Sequence, residues 1–361
     1  MKAAPALTLP LPKSKASSSL LAEIITNKYA YQLPLYRQAK LFEINGLKIS
    51  DNTLGYLVMK SAELLQPLSD ALWAQLSSLK RLQADETRVK VLKPNTKGWM
   101  WLYHSYSEGN RFAIFDFNMN RSQGVADNRL NFFSGLLQSD GYIGYENQRN
   151  RADIVSVGCW DHARRKFMDV IKASGQNKSG KAGQAVKLIG KLYDIETDLK
   201  HASYEERYRV RQLKAKPILN HLLSFLKKVH APPKSLLHKA VTYALNQWPT
   251  LTIYTEYGDA ELSNCWAENL IRPFALGRKN WLFVGNEASA QKAALLHSLV
   301  QTCLLNEINP RDYFQYVLNQ VHRLRKKEVD PVSLLPQFID RELLKPNNNS
   351  GAAQKVESAS A

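Results

Sequence analysis

Three short stretches, far apart in the chain, each carry a carboxylate in a setting suited to metal-assisted chemistry on a phosphodiester. They are Ala84-Asp85-Glu86-Thr87, ahead of the alternating run Arg88-Val89-Lys90-Val91-Leu92; Ser139-Asp140-Gly141-Tyr142; and Asn264-Cys265-Trp266-Ala267-Glu268-Asn269-Leu270-Ile271-Arg272-Pro273. The protein around them is built to attract an anion: 49 Lys+Arg stand against 32 Asp+Glu, a formal net charge of +17. Acids held within so basic a chain are most simply explained as ligands for a hard cation. For each acid the alternative is a surface carboxylate or a helix cap, and Asp140-Gly141 is also an ordinary turn dipeptide. Glu256, Asp259 and Glu261 compete with Glu268 for the third place.

The bulk numbers narrow the partners. A pI near 9.6 points first to nucleic acid and second to an anionic membrane surface. No run approaches the roughly 18–20 apolar residues of a membrane helix, so an integral membrane protein is excluded. With 44% hydrophobic residues, 7 Trp, 16 Tyr and 12 Phe, the chain can bury a sizeable core. Its 361 residues suffice for two domains, or for one with an insertion. The first residues faintly imitate an export signal, but Pro5, Pro10 and Pro12 interrupt any apolar helix, and a cytoplasmic location is expected. Cys159, Cys265 and Cys303 form no CxxC pair, which argues against a disulfide framework and against a structural zinc site.

The elements that must position the acids follow from periodicity. Residues 1–18 and 340–361 are expected to be disordered tails. Over 19–80 the apolar spacing is helical; Gly46 marks a turn and Ser50 an N-cap, the outline of a helix-turn-helix or of any small helical bundle. At Asp85 the period becomes two, with Asp85, Thr87, Val89 and Val91 on one face and Glu86, Arg88 and Lys90 on the other. Two further strands follow around Trp99–Tyr103 and Phe112–Phe117, joined by a turn at 108–110. A helix is predicted over 126–137, then a short strand ending at Asp140 and a fully covered strand over 154–159. Helices return from about 160 to 245. Within 161–235 there are 17 Lys+Arg against 7 Asp+Glu, a surplus of 10 out of the chain's +17. The last helices, near 290–306 and 311–324, are expected to pack back on the sheet.

Taken with Cys159-Trp160-Asp161-His162-Ala163-Arg164-Arg165-Lys166-Phe167 and Gly277-Arg278-Lys279-Asn280-Trp281-Leu282-Phe283, the three acidic motifs closely resemble one group. It is the bacterial DDE transposases of the insertion-sequence-sixty-six type, and the resemblance runs in order over residues 20–337. It implies an α/β fold: a ribonuclease H-like mixed sheet over 81–160 and 246–330, interrupted by a basic α-helical insertion at 161–245. A small helix-turn-helix-like domain over 19–80 precedes it. Members of the group begin with a longer, Cys-rich amino-terminal region that this chain is expected to lack. The glutamate motif of the group carries two consecutive asparagines and an arginine after the glutamate, where Ser263-Asn264-Cys265 and Asn269 stand here, and Asp161 occupies a place usually held by a small residue.

The resemblance puts Asp85, Asp140 and Glu268 on the catalytic triad. Asp85 would bridge two Mg²⁺ (or Mn²⁺) ions roughly 4 Å apart, with Asp140 on one and Glu268 on the other. Double-stranded DNA, at element ends and target, is the expected substrate, met by a homo-oligomer on paired ends with helper proteins from the same element. Arg164, Arg165, Lys166, Arg272, Arg278 and Lys279 suit phosphate contacts, and Asn52 and Thr53 suit base contacts. Each cation could equally be a solvated helix face. His162 is a base, a DNA-orienting group or a structural histidine; Trp160, Trp266 and Trp281 are stacking platforms or core. Two other readings share these features: a non-catalytic DNA-binding derivative, and a nuclease that cuts without joining.

Overall fold

The structure is a computed structural model that describes residues 9–107, 109–176 and 178–345. The rest of the two expected tails, and Glu108 of the expected turn, lie outside the described residues. The chain divides after Ala71 and after Ser298 into two compact units.

The first unit begins with α1 (Ser18–Tyr29), α2 (Leu35–Ile44) and α3 (Asp51–Leu64). Ser17 caps α1 by accepting from Leu20 N, and Ser50 caps α3 by accepting from Thr53 N, both at 3.2 Å. Between α2 and α3 the chain reverses at Gly46, whose φ of +84° favours glycine. Leu54, Leu57, Val58 and Ala62 bury one stripe of α3, while Asn52, Thr53 and Tyr56 stay exposed. The disordered tail expected at 1–18 is corrected in its described part: Leu11 and Ala16 are buried, and Ser18 already belongs to α1.

Through α4 (Gln66–Ala74) the chain enters the second unit and its sheet. Strands β1 (Arg81–Val91), β2 (Thr96–Ser107) and β3 (Asn110–Asn118) form an antiparallel meander. The helix predicted over 126–137 is displaced: α5 covers Gln123–Leu130, and Gly135–Gln138 forms β4. Gly135 starts that strand at φ +130°, where a Cβ would stand 2.3 Å from Lys80 O, so glycine lets β4 close against β1. After the one-turn helix α6 (Glu146–Arg149) comes β5 (Ile154–Val157). Both β4 and β5 run parallel to β1, giving a mixed five-stranded sheet in the order β3-β2-β1-β4-β5.

Helices α7 (Trp160–Ala173), α8 (Lys181–Asp198), α9 (Tyr204–Val210), α10 (Lys216–Lys227), α11 (Leu236–Asn246) and α12 (Trp248–Thr252) follow. They do not make a separate core, because Trp160, Phe167, Ile189 and Leu222 pack in one cluster with Leu136 of β4 and Val157 of β5. Part of their positive charge is spent on acids within the fold. Fully buried Arg211 grips Glu196 through two bonds of 2.8 and 2.6 Å, and Arg207 pairs with Glu261 and Lys216 with Glu256.

Then α13 (Cys265–Trp281) and α14 (Glu287–Leu305) return to the sheet: Ser298 Oγ accepts from Phe115 N of β3 at 2.8 Å. The expectation for the last helices is met by α14 as far as Ser298 and corrected for the helix near 311–324, since the chain beyond Ser298 belongs to the first unit. There α15 (Pro310–Asn319) packs on α1, with Ser18 bonded to Asn319 and Glu23 paired to Arg311, and α16 (Val321–Arg325) follows. Among the described residues no helix is long and apolar enough to cross a membrane.

Candidate active site

Two glutamines precede two of the acids by one strand period each, and they set the site. Gln83 on β1 and Gln138 on β4 are register partners, both buried. Gln83 Nε2 donates to Gln138 Oε1 at 2.9 Å and to Ser263 O at 3.2 Å, while its Oε1 accepts from Ala267 N at 3.1 Å. Gln138 Nε2 donates to Glu261 O at 2.7 Å and Gly158 O at 3.2 Å. One amide pair therefore fastens β1, β4, the end of β5 and the start of α13. Asp85, two residues past Gln83, emerges on the same face of β1; Asp140 follows Gln138; Glu268 follows Ala267 in the first turn of α13, where the helix dipole favours a carboxylate.

The three acids share one electrostatic neighbourhood. The Asp85 carboxyl is pushed up to about 8, first by burial, then by the charges of Glu86, Asp140 and Glu268, against a bond from Glu86 N at 2.9 Å. Asp140 Oδ1 accepts from Tyr142 N at 2.9 Å, and its carbonyl accepts from Arg149 at 2.6 Å. Glu268 Oε2 accepts from Arg165 at 3.0 Å; its Oε1 is buried, accepts no hydrogen bond among the described residues and stands 3.5 Å from His162 Nδ1. The competing acids point elsewhere: Glu256 to Lys216, Glu261 to Arg207, Asp259 to Arg81.

A fourth carboxylate escapes a reading of the sequence alone. Glu86 lies on the opposite face of β1, yet its side chain is only 2% exposed. Arg121 donates to it, with Nε at 2.8 Å, and Tyr145 Oη donates to it at 3.0 Å. The Arg121 guanidinium is stacked between the rings of Trp99 and Tyr142, 4.7 and 3.5 Å from their centroids. Burial and Asp140 still raise the Glu86 carboxyl, with Arg121 and Tyr145 opposing.

Among the described residues, the group of three metal-capable side chains whose ligand atoms all lie within 4.8 Å of one another is Cys159, His162 and Glu268, rather than the three expected acids. Burial pushes the Cys159 thiol up, so it stays protonated and makes a poor ligand for a hard cation. Of the expected DNA contacts, Arg164, Lys166, Arg272 and Lys279 are exposed, Arg278 is half-buried, and Arg165 is committed to Glu268. Trp160 is core, donating to Leu251 O at 2.8 Å, whereas Trp266 beside Glu268 is 48% exposed.

The family model described as Transposase IS66 family matches residues 13–292. The chain belongs to that family. It is similar to two proteins of Sinorhizobium fredii (strain NBRC 101917 / NGR234). One, uncharacterized protein y4jD, is 32% identical over 323 residues, covering 85% of this chain and 63% of the relative. The other, uncharacterized protein y4hP, is 30% identical over 334 residues, covering 86% and 60%. The chain thus spans about three-fifths of the length of the relatives it matches. The matched segment takes in all three acids.

Two outcomes test this geometry. Gln83→Leu leaves Gln138 Oε1, Ser263 O and Ala267 N without their partner, at about 1–3 kcal/mol for each buried group. Denaturant unfolding is expected to show a loss of about 3 kcal/mol or more, and a loss below about 1 kcal/mol contradicts the clamp. Second, the folded chain keeps the Asp85 proton up to about pH 8, while the unfolded chain releases it near 3.8. Fewer protons are bound in the unfolded state across that window, so stability falls as pH rises through it. In chelator, Asp85→Asn therefore gains stability relative to the wild type from pH 5 to pH 8.5 by thermal melting; a constant difference removes the carboxyl from so crowded a place.

Proposed function

We propose that this chain cleaves and joins DNA at the ends of its insertion element, using Asp85, Asp140 and Glu268 as metal ligands on a ribonuclease H-like sheet. The observation that carries the reading is that the Gln83–Gln138 clamp ties β1, β4 and the start of α13 together, and that the Asp85 carboxyl is raised by the charges of both Asp140 and Glu268 in a chain of net charge +17. Folding stability alone gives no reason to gather like charges there. The strand order β3-β2-β1-β4-β5, with an antiparallel meander on one side of β1 and parallel strands on the other, supports the fold assignment.

The donor set suits a hard divalent ion: carboxylate oxygens, one of them without a hydrogen bond, and a proton on Asp85 that a dication can replace. Two Mg²⁺ or Mn²⁺ ions would supply polarisation of the scissile phosphate and a lowered pKa for the attacking water or 3′-hydroxyl. Asp85, Asp140 and Glu268 would hold the ions. Arg165 holds the Glu268 carboxylate in orientation with His162 3.5 Å away, and Arg165 would be free to turn to a phosphate oxygen when that carboxylate holds a cation. Exposed Arg164, Lys166, Arg272 and Lys279 supply phosphate contacts, and Asn52 and Thr53 at the start of α3 reach base edges.

Nicking of supercoiled plasmid in Mg²⁺ or Mn²⁺ tests the assignment. Asp85→Asn, Asp140→Asn and Glu268→Gln are each expected to lower nicking by about 100-fold or more, at least the upper end of what an outer partner of a metal ligand is worth. Glu256→Gln and Glu261→Gln are expected to leave it unchanged. Wild-type nicking in any of the first three removes that residue from the site. DNA binding without any metal-dependent nicking in the wild type favours a non-catalytic, end-binding role.

A further inference from the structure

Beyond the triad, β1 and α13 run side by side. Ala267 meets Gln83, and Arg278 donates to Arg88 O. Eleven residues of helix at about 1.5 Å each and five of strand at about 3.3 Å each cover the same distance, about 16 Å. Past Leu282, whose φ is +62°, the chain bridges in parallel to the end of β1: Leu92 N donates to Val284 O and Val284 N to Lys90 O, both at 2.9 Å. A groove of about 420 Å³ is left between the end of β1, the start of β2 and the last turn of α13.

Its polar lining is Arg88, Lys90, Asn95, Thr96, Lys97 and Arg278. Four cations line it and no carboxylate does, and none of the four pairs with an acid among the described residues. Arg88 lies over the Trp99 ring, 5.1 Å from its centroid, so its guanidinium is held in place. Arg278 is half-buried and donates to the Arg88 carbonyl, with no acid beside it among the described residues, and burial lowers its pKa. A cation desolvated without a counter-charge is stabilised by an anion that arrives from outside.

We propose that this groove binds the phosphodiester backbone of a DNA strand. That this strand is a substrate of the same chain rests on Asp85 belonging to the active site; anion binding by the groove does not.

The test uses the full chain and a fluorescein-labelled duplex of arbitrary sequence, in chelator, with affinity followed against salt by anisotropy. Each phosphate left without its cation lowers the salt slope by about 0.9, so the variant R88Q/K90Q/K97Q/R278Q is expected to lose about two to four units. R88Q/K90Q/K97Q, which spares the half-buried Arg278, repeats the test should the quadruple variant melt early. R323Q/R325Q/K326Q/K327Q, an equal loss of exposed charge elsewhere, is expected to lose less than about one unit. An unchanged slope in the groove variants overturns the proposal, as does an equal fall in the control. Should Asp85→Asn still nick plasmid while the groove variants lose slope, the active-site reading fails and the groove stands.

Discussion

One pair of buried amides makes the rest of this site possible. A glutamine side chain has two donors and acceptor capacity on one rigid group, and burying it unpaired is costly. Gln83 and Gln138 meet that cost by bonding to each other and to the backbone of three further segments, Gly158, Glu261–Ser263 and Ala267. Hydrogen bonds of this kind have narrow geometry, unlike the apolar contacts of the surrounding core. They fix where β4 and α13 sit against β1, and so where Asp140 and Glu268 sit against Asp85.

Holding acids so close costs free energy, and the chain meets that cost in three ways. Asp85 keeps a proton to about pH 8. Glu86 is met by an arginine whose own charge is stacked between two aromatic rings. Glu268 rests against Arg165 and His162 at a helix N-terminus. The proposed function reads Asp85 and Glu268 as groups whose present partners a dication would replace. The same contrast separates the cations. Arg207, Arg211 and Lys216 of the basic helical segment are spent on Glu261, Glu196 and Glu256, whereas Arg88, Lys90, Lys97 and Arg278 pair with no acid among the described residues. A count of charge along the sequence does not separate these two kinds of cation.

Much of the sheet was legible because its signals are local. The alternation after Asp85 located β1, the aromatic runs located β2 and β3, and the apolar run before Cys159 located β5. The helix expected over 126–137 failed where Gly135 cut it, and the strand that replaced it takes its pairing from distant Lys80. Two glutamines at inward positions of neighbouring strands were a readable sign of a buried pair, since polar side chains on a core face need partners. Glu86 was hidden by the assumption that the second face of β1 meets water, when Arg121 and Tyr145 cover it. The return of α15 to α1 could not be read, because it joins segments some three hundred residues apart.

The central claim is that Asp85 and Glu268 answer to one shared cation site. Mn²⁺ binding by isothermal titration calorimetry, on the wild type, Asp85→Asn, Glu268→Gln and the double variant, tests it most directly. Groups that share a site lose their effects non-additively. The account predicts that each single variant weakens binding and that the double variant is weaker by clearly less than the two losses combined. Losses that simply add, or binding untouched by either substitution, would contradict it.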